Sequence, residues 1–432
     1  MKPFRLLTYF VVSLLSVSAV AQVFTVDEAV AMALKNDFDI QLAKNEASKA
    51  KTNNTPGNAG MLPELNASLS GGFDSKRSSQ KLADFSIREY NPLNSQTLNA
   101  GVQLSWTVFD GGKMFVTKSK LSQIERLGEI EFQSQVLQTM ADVIAAYYDV
   151  VRQQQQLRSI HEAINFNRQR LAIAQTGFQS GALSKADLLQ AQIDLNLNLE
   201  NAINQEYNIQ LAQRSLNRLL RISSDAHLRV SDSIPCQFRP DSMSLLQKLE
   251  DSNTSILAFR KQVEIAGLNL KESRSNYLPM LSLNAGVYAS DIHNSAGTLL
   301  QNRSVGPQVA GVLSIPLYQS GEAKRKMNLA KIELQSANIN LEKIKQLARI
   351  DLQNAISNYR NQLRLLDIEI VNNQLSEEYL KISIQRLKLG QTNSLEVHLA
   401  QENFVQSNTR LLNYRYNLKI AETKLKHLLS VL

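Results

Sequence analysis

Strict alternation of apolar and polar residues marks four short segments of the chain. From Leu65 to Phe73, apolar residues or glycine occupy alternate positions, Asn66, Ser68 and Ser70 stand between them, and Asp74 follows. The same alternation runs through 98–108 and 281–287 and, less regularly, through 309–317. A period of two predicts β-strands with one apolar face. Lengths of about 9–13 residues suit tilted membrane strands, although one-sided strands of a soluble sheet show the same pattern.

Much longer segments repeat their apolar residues every three or four positions. Neither the stretch between Gly112 and Gly181 nor that between Gly321 and Gly390 contains proline. Each could form a helix of ~100 Å, whereas globular helices average about a dozen residues. Coiled-coil-like seams are predicted at Leu137, Met140, Ile144, Tyr147 and Val151, and at Ile356, Tyr359, Leu363, Leu366 and Ile370.

The chain also carries an internal duplication. Gly181 returns as Gly390, and the motif at 105–112 returns at 314–321, both 209 positions later (390 − 181). Leu62-Pro63 returns 216 positions later (278 − 62), which indicates a longer loop in the first copy. An offset held over so many residues identifies two tandem copies of one structural unit.

The duplication divides the chain into a signal peptide at 1–21, a first repeat at 22–230 and a second repeat at 231–432. Each repeat is predicted to hold a helical stretch (about 25–55 and 241–277), two strands, a long helix and a second helix. The polar loops between the strands, at about 74–97 and 291–304, should face the exterior.

The N-terminus has the features of a secretory signal. Lys2 and Arg5 precede an apolar run at 6–17, and Ala19-Val20-Ala21 fits a cleavage site. No cysteine follows that run, so a lipid anchor there is excluded, and no later stretch of about 18 apolar residues predicts a transmembrane helix. The sequence therefore predicts an exported protein.

Charge and reactive residues point away from nucleic acid and from catalysis. The formal net charge is +8, but the basic residues alternate with Glu, Asp, Gln and Asn rather than forming a dense basic block. The five histidines have no metal-ligand spacing, and Cys236 stands alone in a linker. We expect no enzyme activity, no cofactor and no metal.

Four strands cannot close a membrane barrel, since the smallest barrels have about eight and an open edge is forbidden in lipid. Several chains would have to pool their strands: two chains give eight and three give twelve. The apolar faces would then meet lipid, and the Asn and Ser faces would line a polar lumen.

At this point the chain resembles the TolC-type outer membrane efflux proteins, the outer membrane factor family. The matching motifs are Thr25-x-x-Glu28-Ala29, Leu62-Pro63, Leu278-Pro279, Phe109-Asp110-Gly111-Gly112, and the spacings from Gly181 to Asp187 and from Gly390 to Glu396. The resemblance implies a mostly α-helical chain in a homotrimer, with a twelve-stranded β-barrel in the outer membrane and an α-helical periplasmic tunnel. It also implies an exit duct for efflux or type I secretion, with a periplasmic adaptor and an inner-membrane pump as partners.

The candidate functional positions lie at the two turns that end the long helices. Asp187 and Glu396 each follow a glycine and begin a returning helix, where a negative charge is favourable. Alternatively, repeated around an axis, they would form an acidic ring that favours cations. The same turns would dock the adaptor. The predicted site residues are Gly181, Ser184, Asp187, Gly390, Thr392, Asn393 and Glu396.

The resemblance is incomplete at the tip. In the family, a salt-bridge and hydrogen-bond network closes the tunnel, and Asp187 matches its acidic residue. The positions that would carry its arginine and tyrosine are Thr392 and Leu387 in this chain. A different closure would therefore have to replace that network.

Two other classes of protein fit the long helices. A soluble periplasmic coiled-coil adaptor would have helical hairpins without a pore, although it would not need duplicated strands before each long helix. A secreted filament subunit would form open polymers instead of a closed ring. The transported substrate is not predicted by the residues.

Overall fold

A computed structural model describes residues 24–236, 238 and 242–432 of the chain. The predicted signal peptide at 1–21 lies outside the described residues. The helices are α1 (Val26–Asn36), α2 (Phe38–Asn53), α3 (Lys113–Gln179), α4 (Lys185–Leu220), α5 (Ser242–Ser252), α6 (Thr254–Arg274), α7 (Glu322–Lys388) and α8 (Ser394–Leu428). The strands are β1 (Glu64–Lys81), β2 (Ile87–Asp110), β3 (Met280–Asn294) and β4 (Gln301–Ser314).

The two halves of the chain contain the same elements in the same order. Helices α3 and α7 have 67 residues each, and their first residues are 209 positions apart (322 − 113). At ~1.5 Å per residue each helix is ~100 Å long. The long helices predicted from the sequence are therefore present and unbroken.

Each predicted helical stretch at the start of a repeat is in fact a pair of helices. The break falls at Asp37 in the first copy and at Asn253 in the second, and these positions are 216 apart (253 − 37). Both side chains cap the helix that follows: Asp37 Oδ1 accepts from the Ile40 amide at 3.1 Å, and Asn253 Oδ1 accepts from the Ile256 amide at 3.1 Å. A capping side chain stops one helix and starts the next.

A glycine allows α2 to pack closely on α3. A Cβ placed on Gly128 would lie 3.3 Å from the Cα of Ala47, tighter than most real contacts. Helix α3 continues through Gly128. Because this residue has no side chain, the backbones of α2 and α3 can approach each other closely.

The four strands form one antiparallel sheet in the order β1-β2-β3-β4. The prediction of a polar loop at 74–97 was wrong, because β1 continues to Lys81, β2 begins at Ile87, and the turn between them is short. The second polar segment, 291–304, is likewise mostly strand. Polar residues do not exclude strand structure where both faces of a hairpin are wetted.

The helices bury narrow seams rather than a central core. Helix α3 packs against α4 and α8, and α8 packs against α7, so the long helices lie in the order α4-α3-α8-α7. Of the predicted seam residues, Leu137, Tyr147, Val151, Ile356, Tyr359 and Leu366 are buried. Ile370 is an exception: it is 36% exposed, and its neighbour Glu369 occupies the seam at 5% exposure.

The inward turn of Glu369 has a polar cause. Its carboxylate accepts two bonds from Arg410, at 3.1 and 3.2 Å, and one from the hydroxyl of Ser407 at 2.7 Å. A fork-shaped guanidinium and a hydroxyl together satisfy a buried carboxylate. The spacing of apolar residues along α7 could not show that Glu369 is buried and Ile370 exposed, because the polar partners that allow Glu369 to be buried are on α8.

Candidate functional site

The first tip turn, between α3 and α4, is closed by backbone hydrogen bonds. The amide of Ala182 donates to the carbonyl of Gly177 at 2.8 Å, and the amide of Gly181 donates to the carbonyl of Phe178 at 3.1 Å. These two bonds form a Schellman motif, which requires a left-handed residue after the helix. Gly181 provides it, with φ of +77°.

The second tip turn, between α7 and α8, has the same geometry. The amide of Gln391 donates to the carbonyl of Arg386 at 2.8 Å, and that of Gly390 donates to the carbonyl of Leu387 at 3.0 Å. Gly390 has φ of +68°. The duplication thus extends to the individual hydrogen bonds of the two turns.

Asp187 belongs to a capping box at the start of α4. Its amide donates to the hydroxyl of Ser184 at 3.2 Å, and its carboxylate accepts from the amide and the hydroxyl of Ser184 at 3.1 and 2.7 Å. This arrangement satisfies free amides of the first helical turn and places the negative charge at the positive end of α4. Within the described residues, all hydrogen bonds of the Asp187 carboxylate stay in its own turn.

Glu396 has the matching position on α8 but different partners. Its amide donates to the Asn393 side chain at 3.0 Å, and its carboxylate accepts from Arg386 at 2.7 Å and from the Thr392 hydroxyl. Arg386 is on the last turn of α7, so this ion pair joins the end of α7 to the beginning of α8. The two predicted acidic positions therefore differ in charge balance: Asp187 has no cationic partner among the described residues, whereas Glu396 has one.

The two turns lie side by side. A groove of about 610 Å³ is lined by Gly177 and Leu183 from the first turn and by Leu387, Gly390 and Thr392 from the second. Among the described residues no hydrogen bond crosses from Asp187 to Thr392 or Leu387. The chain thus brings the candidate site residues together at one end of the helices.

A buried charged cluster lies a few turns above the tip, and sequence reasoning missed it. Arg170 on α3 donates to Asp194 on α4 at 2.7 Å and to the hydroxyl of Ser394 on α8 at 3.3 Å. The Nδ1 atom of His398, also on α8, lies 3.1 Å from Asp194 and 3.4 Å from Arg170. Arg170 and Asp194 are each 5% exposed. The cluster therefore ties three helices together at one level.

One signal in the sequence could have indicated this cluster. Asp194 stands three residues after Ala191 and eight before Ala202, and all three are buried on one face of α4. A carboxylate within an otherwise apolar seam requires a buried partner of opposite charge. The partner, Arg170, precedes it on the neighbouring helix and stands in the corresponding seam of α3.

The described residues contain neither a metal-binding cluster nor a membrane-spanning helix. In that part of the chain, no group of three or more His, Cys, Asp or Glu side chains is arranged to hold a metal ion. Likewise, none of its helices is both long enough and apolar enough to cross a membrane.

Comparison with known proteins identifies the family. The model of the outer membrane efflux protein family matches residues 29–220 and 245–431. The chain belongs to this family. Its members are outer membrane channel proteins and not enzymes, which confirms the location and the lack of catalysis predicted from the sequence.

Individual relatives are distant in sequence and similar in fold. The chain is 26% identical to the alkaline protease secretion protein AprF of Pseudomonas aeruginosa over 67% of its own length and 60% of AprF. It is 21% identical to the outer membrane protein TolC of Escherichia coli, over 80% of this chain and 72% of TolC. The CmeC outer membrane channel of Campylobacter jejuni superimposes with a TM-score of 0.77 at 18% identity, covering 94% of this chain and 85% of CmeC.

These comparisons confirm the predicted fold class. The solved structures with this fold are trimeric channels, and this chain has their mostly helical architecture with one four-stranded sheet.

Proposed function

We propose that three copies of this chain form an outer-membrane exit duct of a tripartite efflux or type I secretion system. The duct would receive substrates from a periplasmic adaptor and an inner-membrane pump and release them to the exterior. The observation that supports this proposal best is that the sheet and the long helices both end in unpaired, apolar edges that a second copy of the chain would complete.

The sheet has one continuous apolar face. Residues that are paired across the four strands lie in one row on the same face of the sheet. Three successive rows on one face consist entirely of apolar residues. These rows are Leu65-Leu104-Ala285-Val309, Ala67-Val102-Val287-Pro307 and Leu69-Ala100-Ala289-Val305. Many of these side chains are exposed, with Leu69 at 75% and Val309 at 72%. A soluble protein rarely exposes so large an apolar surface, whereas a lipid-facing sheet requires it.

The height of the apolar face fits a bilayer. On β3 it extends from Leu281 to Ala289, which is about 30 Å of strand at ~3.4 Å per residue. A tilt near 40° reduces this length to about 23 Å, close to the ~25 Å apolar band of outer-membrane barrels. The opposite face has polar rows, such as Ser70-Asn99-Ser290-Ser304, which suit a wet lumen.

The free edges of the sheet match each other. β1 and β4 are the outer strands, and because all neighbours are antiparallel, β1 of one copy can pair with β4 of the next in the same sense. Such pairing satisfies the exposed backbone groups and removes the edges. Three copies would give a closed barrel of twelve strands.

The free helix faces match in the same way. Helix α4 exposes Ile193, Leu197 and Tyr207, which are 53–58% exposed, and helix α7 exposes Val371 and Leu375, which are 53% and 59% exposed. Spacings of three or four residues, or sums of these such as ten and fourteen, keep each set on one helical stripe. The two stripes lie at the same level above the tip, on the two outer helices of the order α4-α3-α8-α7. Contact between α4 of one copy and α7 of the next would close a helical tunnel below the barrel.

The tip turns are the proposed docking and gating region. We assign adaptor docking to the turns at 181–184 and 390–393, whose groove is open to solvent. Asp187 and Glu396 would form an acidic ring at the narrow end of the tunnel, and Thr392 and Asn393 would support Glu396 within it. The relative AprF is named a protease secretion protein and the relative TolC an outer membrane protein, and both names fit a duct in the outer membrane.

The first test is purification from outer membranes in detergent, followed by native mass determination and single-channel recording in planar bilayers. A conducting particle of three chains is expected. A monomer in the soluble periplasmic fraction, without conductance, would exclude the duct and favour a soluble adaptor.

A matched pair of variants tests which face of the sheet meets lipid. Val102 and Gln103 are neighbours on β2 and lie on the apolar and polar faces, respectively. Val102→Arg should cost about 2–4 kcal/mol of barrel stability, because it places a charge among lipid tails. Gln103→Arg should still assemble and should change the conductance or the ion selectivity. Equal assembly of both variants would contradict the assignment of faces.

A further inference from the structure

The positive charge of the chain is concentrated in space, although the basic residues alternate with other polar residues along the sequence. Three short segments adjoin the strand ends on the helical side of the sheet, at 113–120, 271–277 and 322–331. Together they contain nine Lys or Arg and two Glu, a net charge of +7, against +8 for the whole chain. We call these three segments the basic collar.

Most of the collar cations have no counter-charge among the described residues. Both acids are already paired: Glu272 with Lys120, and Glu322 with Arg325 at 2.8 Å. Five exposed cations of the collar have no ion-pair partner among the described residues. They are Lys113, Lys271, Arg274, Lys324 and Lys331.

The collar adjoins the strand ends at the helical side of the sheet. Aromatic side chains mark the boundary: Trp106 near the end of β2 is 36% exposed, Tyr277 before β3 is 47% exposed, and Tyr318 after β4 is 86% exposed. The Trp106 indole also donates to the carbonyl of Met61 at 3.0 Å. Aromatic residues with one polar end are typical of the level of lipid headgroups.

A polar cleft opens within the collar. It has a volume of about 390 Å³, lies between α3, α6 and α7, and is lined by Lys113, Asn269, Asn276 and Lys326. Two acids also line it: Glu272, whose carboxylate is paired with Lys120, and Glu333, which lies two turns further from the sheet than Lys326. Two lysines and two amides near the membrane level provide donors for a phosphate group.

We propose that the basic collar binds the headgroups of anionic phospholipids in the periplasmic leaflet of the outer membrane. This proposal rests on the proposed function, because it requires that the sheet spans the bilayer. Each Lys or Arg side chain is attracted to a nearby anionic membrane surface, and this attraction falls off within a Debye length of about 8 Å. Lys113, Arg274 and Lys324 are the free cations closest to the strand ends, so these three are expected within this range of the headgroups. Bound lipid would fix how deeply the barrel sits and would hold the strand–helix junction at the membrane surface.

The only tryptophan of the chain provides a direct readout. The purified oligomer is reconstituted in phosphatidylcholine vesicles that contain increasing fractions of brominated phosphatidylglycerol, and a parallel series uses brominated phosphatidylcholine. Bromine quenches Trp106 when the lipid occupies the adjacent site. We expect phosphatidylglycerol to be preferred about three- to fivefold at low salt, and the preference to fall towards one at high salt.

Two triple variants identify the source of the preference. In the first, Lys113→Gln, Arg274→Gln and Lys324→Gln remove collar charges, and the preference should fall to about one. In the second, Lys343→Gln, Arg360→Gln and Arg364→Gln remove three exposed charges further along α7, and the preference should remain. Far-UV circular dichroism and native mass confirm that both variants assemble.

Several outcomes would overturn the inference. Equal quenching by the two lipids, or equal loss in both variants, would show that the collar does not select anionic lipid. Loss of the preference on addition of millimolar inorganic phosphate would assign the cleft to a free ion. Quenching by neither lipid would mean that Trp106 does not face the bilayer, which contradicts the proposed function itself.

Discussion

The buried pair Arg170–Asp194 makes the strongest quantitative prediction for the tunnel. Asp194→Ala removes the carboxylate that lies 2.7 Å from the Arg170 guanidinium, in a site where both residues are 5% exposed. The remaining contacts of Arg170, to Ser394 and His398, are longer, at 3.3 and 3.4 Å. Removing one partner of a buried pair leaves an uncompensated charge, and we expect a loss of about 3–5 kcal/mol in the free energy of unfolding.

The double variant separates the pair from simple packing. Arg170→Met with Asp194→Leu removes both charges and fills the same space, so it should be close to neutral or slightly stabilising. In the cycle formed by this double variant and its own single variants, Arg170→Met and Asp194→Leu, the coupling energy between the two positions should then exceed about 3 kcal/mol. The measurement is denaturant unfolding in detergent, followed by the helical circular dichroism signal, with the exposed pair Arg158–Asp232 as a control.

His398 is the second polar partner of the Asp194 carboxylate, with its Nδ1 atom at 3.1 Å. The reasoning is refuted if Asp194→Ala costs less than about 1 kcal/mol, or if the double variant is as unstable as the sum of the single variants.

Three further predictions concern the tip and the α7–α8 seam. In planar bilayers, Asp187→Ala should reduce cation selectivity more than Glu396→Ala, because the charge of Glu396 is already balanced by an arginine. Gly390→Ala should destabilise the tip turn by about 1 kcal/mol through its positive φ alone, since nothing lies within 4 Å of the added Cβ. Burial would raise the pKa of Glu369, but the hydrogen bonds and charge of Arg410 together with the Ser407 hydroxyl outweigh it and hold this pKa below 4.5. The contribution of the Glu369 carboxylate to the free energy of unfolding is therefore complete above about pH 4.5, and it is lost as the pH falls through the lowered pKa. In unfolding experiments, Glu369→Gln should abolish this pH dependence.

Each of these predictions has a control. Unchanged selectivity in both tip variants would contradict the acidic ring. For the glycine, Gly267→Ala is matched, because Gly267 also has open space around its Cβ but stands within α6 with ordinary helical geometry; it should gain up to about 1 kcal/mol in stability. For Glu369, an acid dependence that persists in the glutamine variant would assign the effect to other carboxylates.

Periodicity and duplication were sufficient to predict most of the fold. Alternation fixed the apolar face of the sheet, and the proline-free stretches fixed the long helices, because both signals extend over many residues. The Thr25-x-x-Glu28 motif forms a capping box, which depends only on two residues three apart. Such local and repeated signals need no knowledge of which elements meet in space.

The predictions failed where the local structure or burial depends on residues that are distant in the sequence. The hairpin of β1 and β2 was taken for a loop at 74–97, because polar strands of an extended hairpin lack the alternation that a buried face imposes. The burial of Glu369 and Arg170 depends on partners on neighbouring helices. At the tip, the glycines and the acidic residues were predicted correctly in position, but the pairing of Glu396 with Arg386 was not visible from spacing.

The equal length of α3 and α7 restricts how such a tunnel can change during evolution. Both helices have 67 residues and end in turns that lie side by side. An insertion of seven residues in α3 alone would displace one turn from the other by about 10 Å and break their alignment. A longer or shorter tunnel therefore requires coordinated insertions or deletions in α3, α4, α7 and α8, in steps that preserve the heptad register. Single-site changes can alter the rim or the lining, whereas the length of the tunnel changes only in both repeats together.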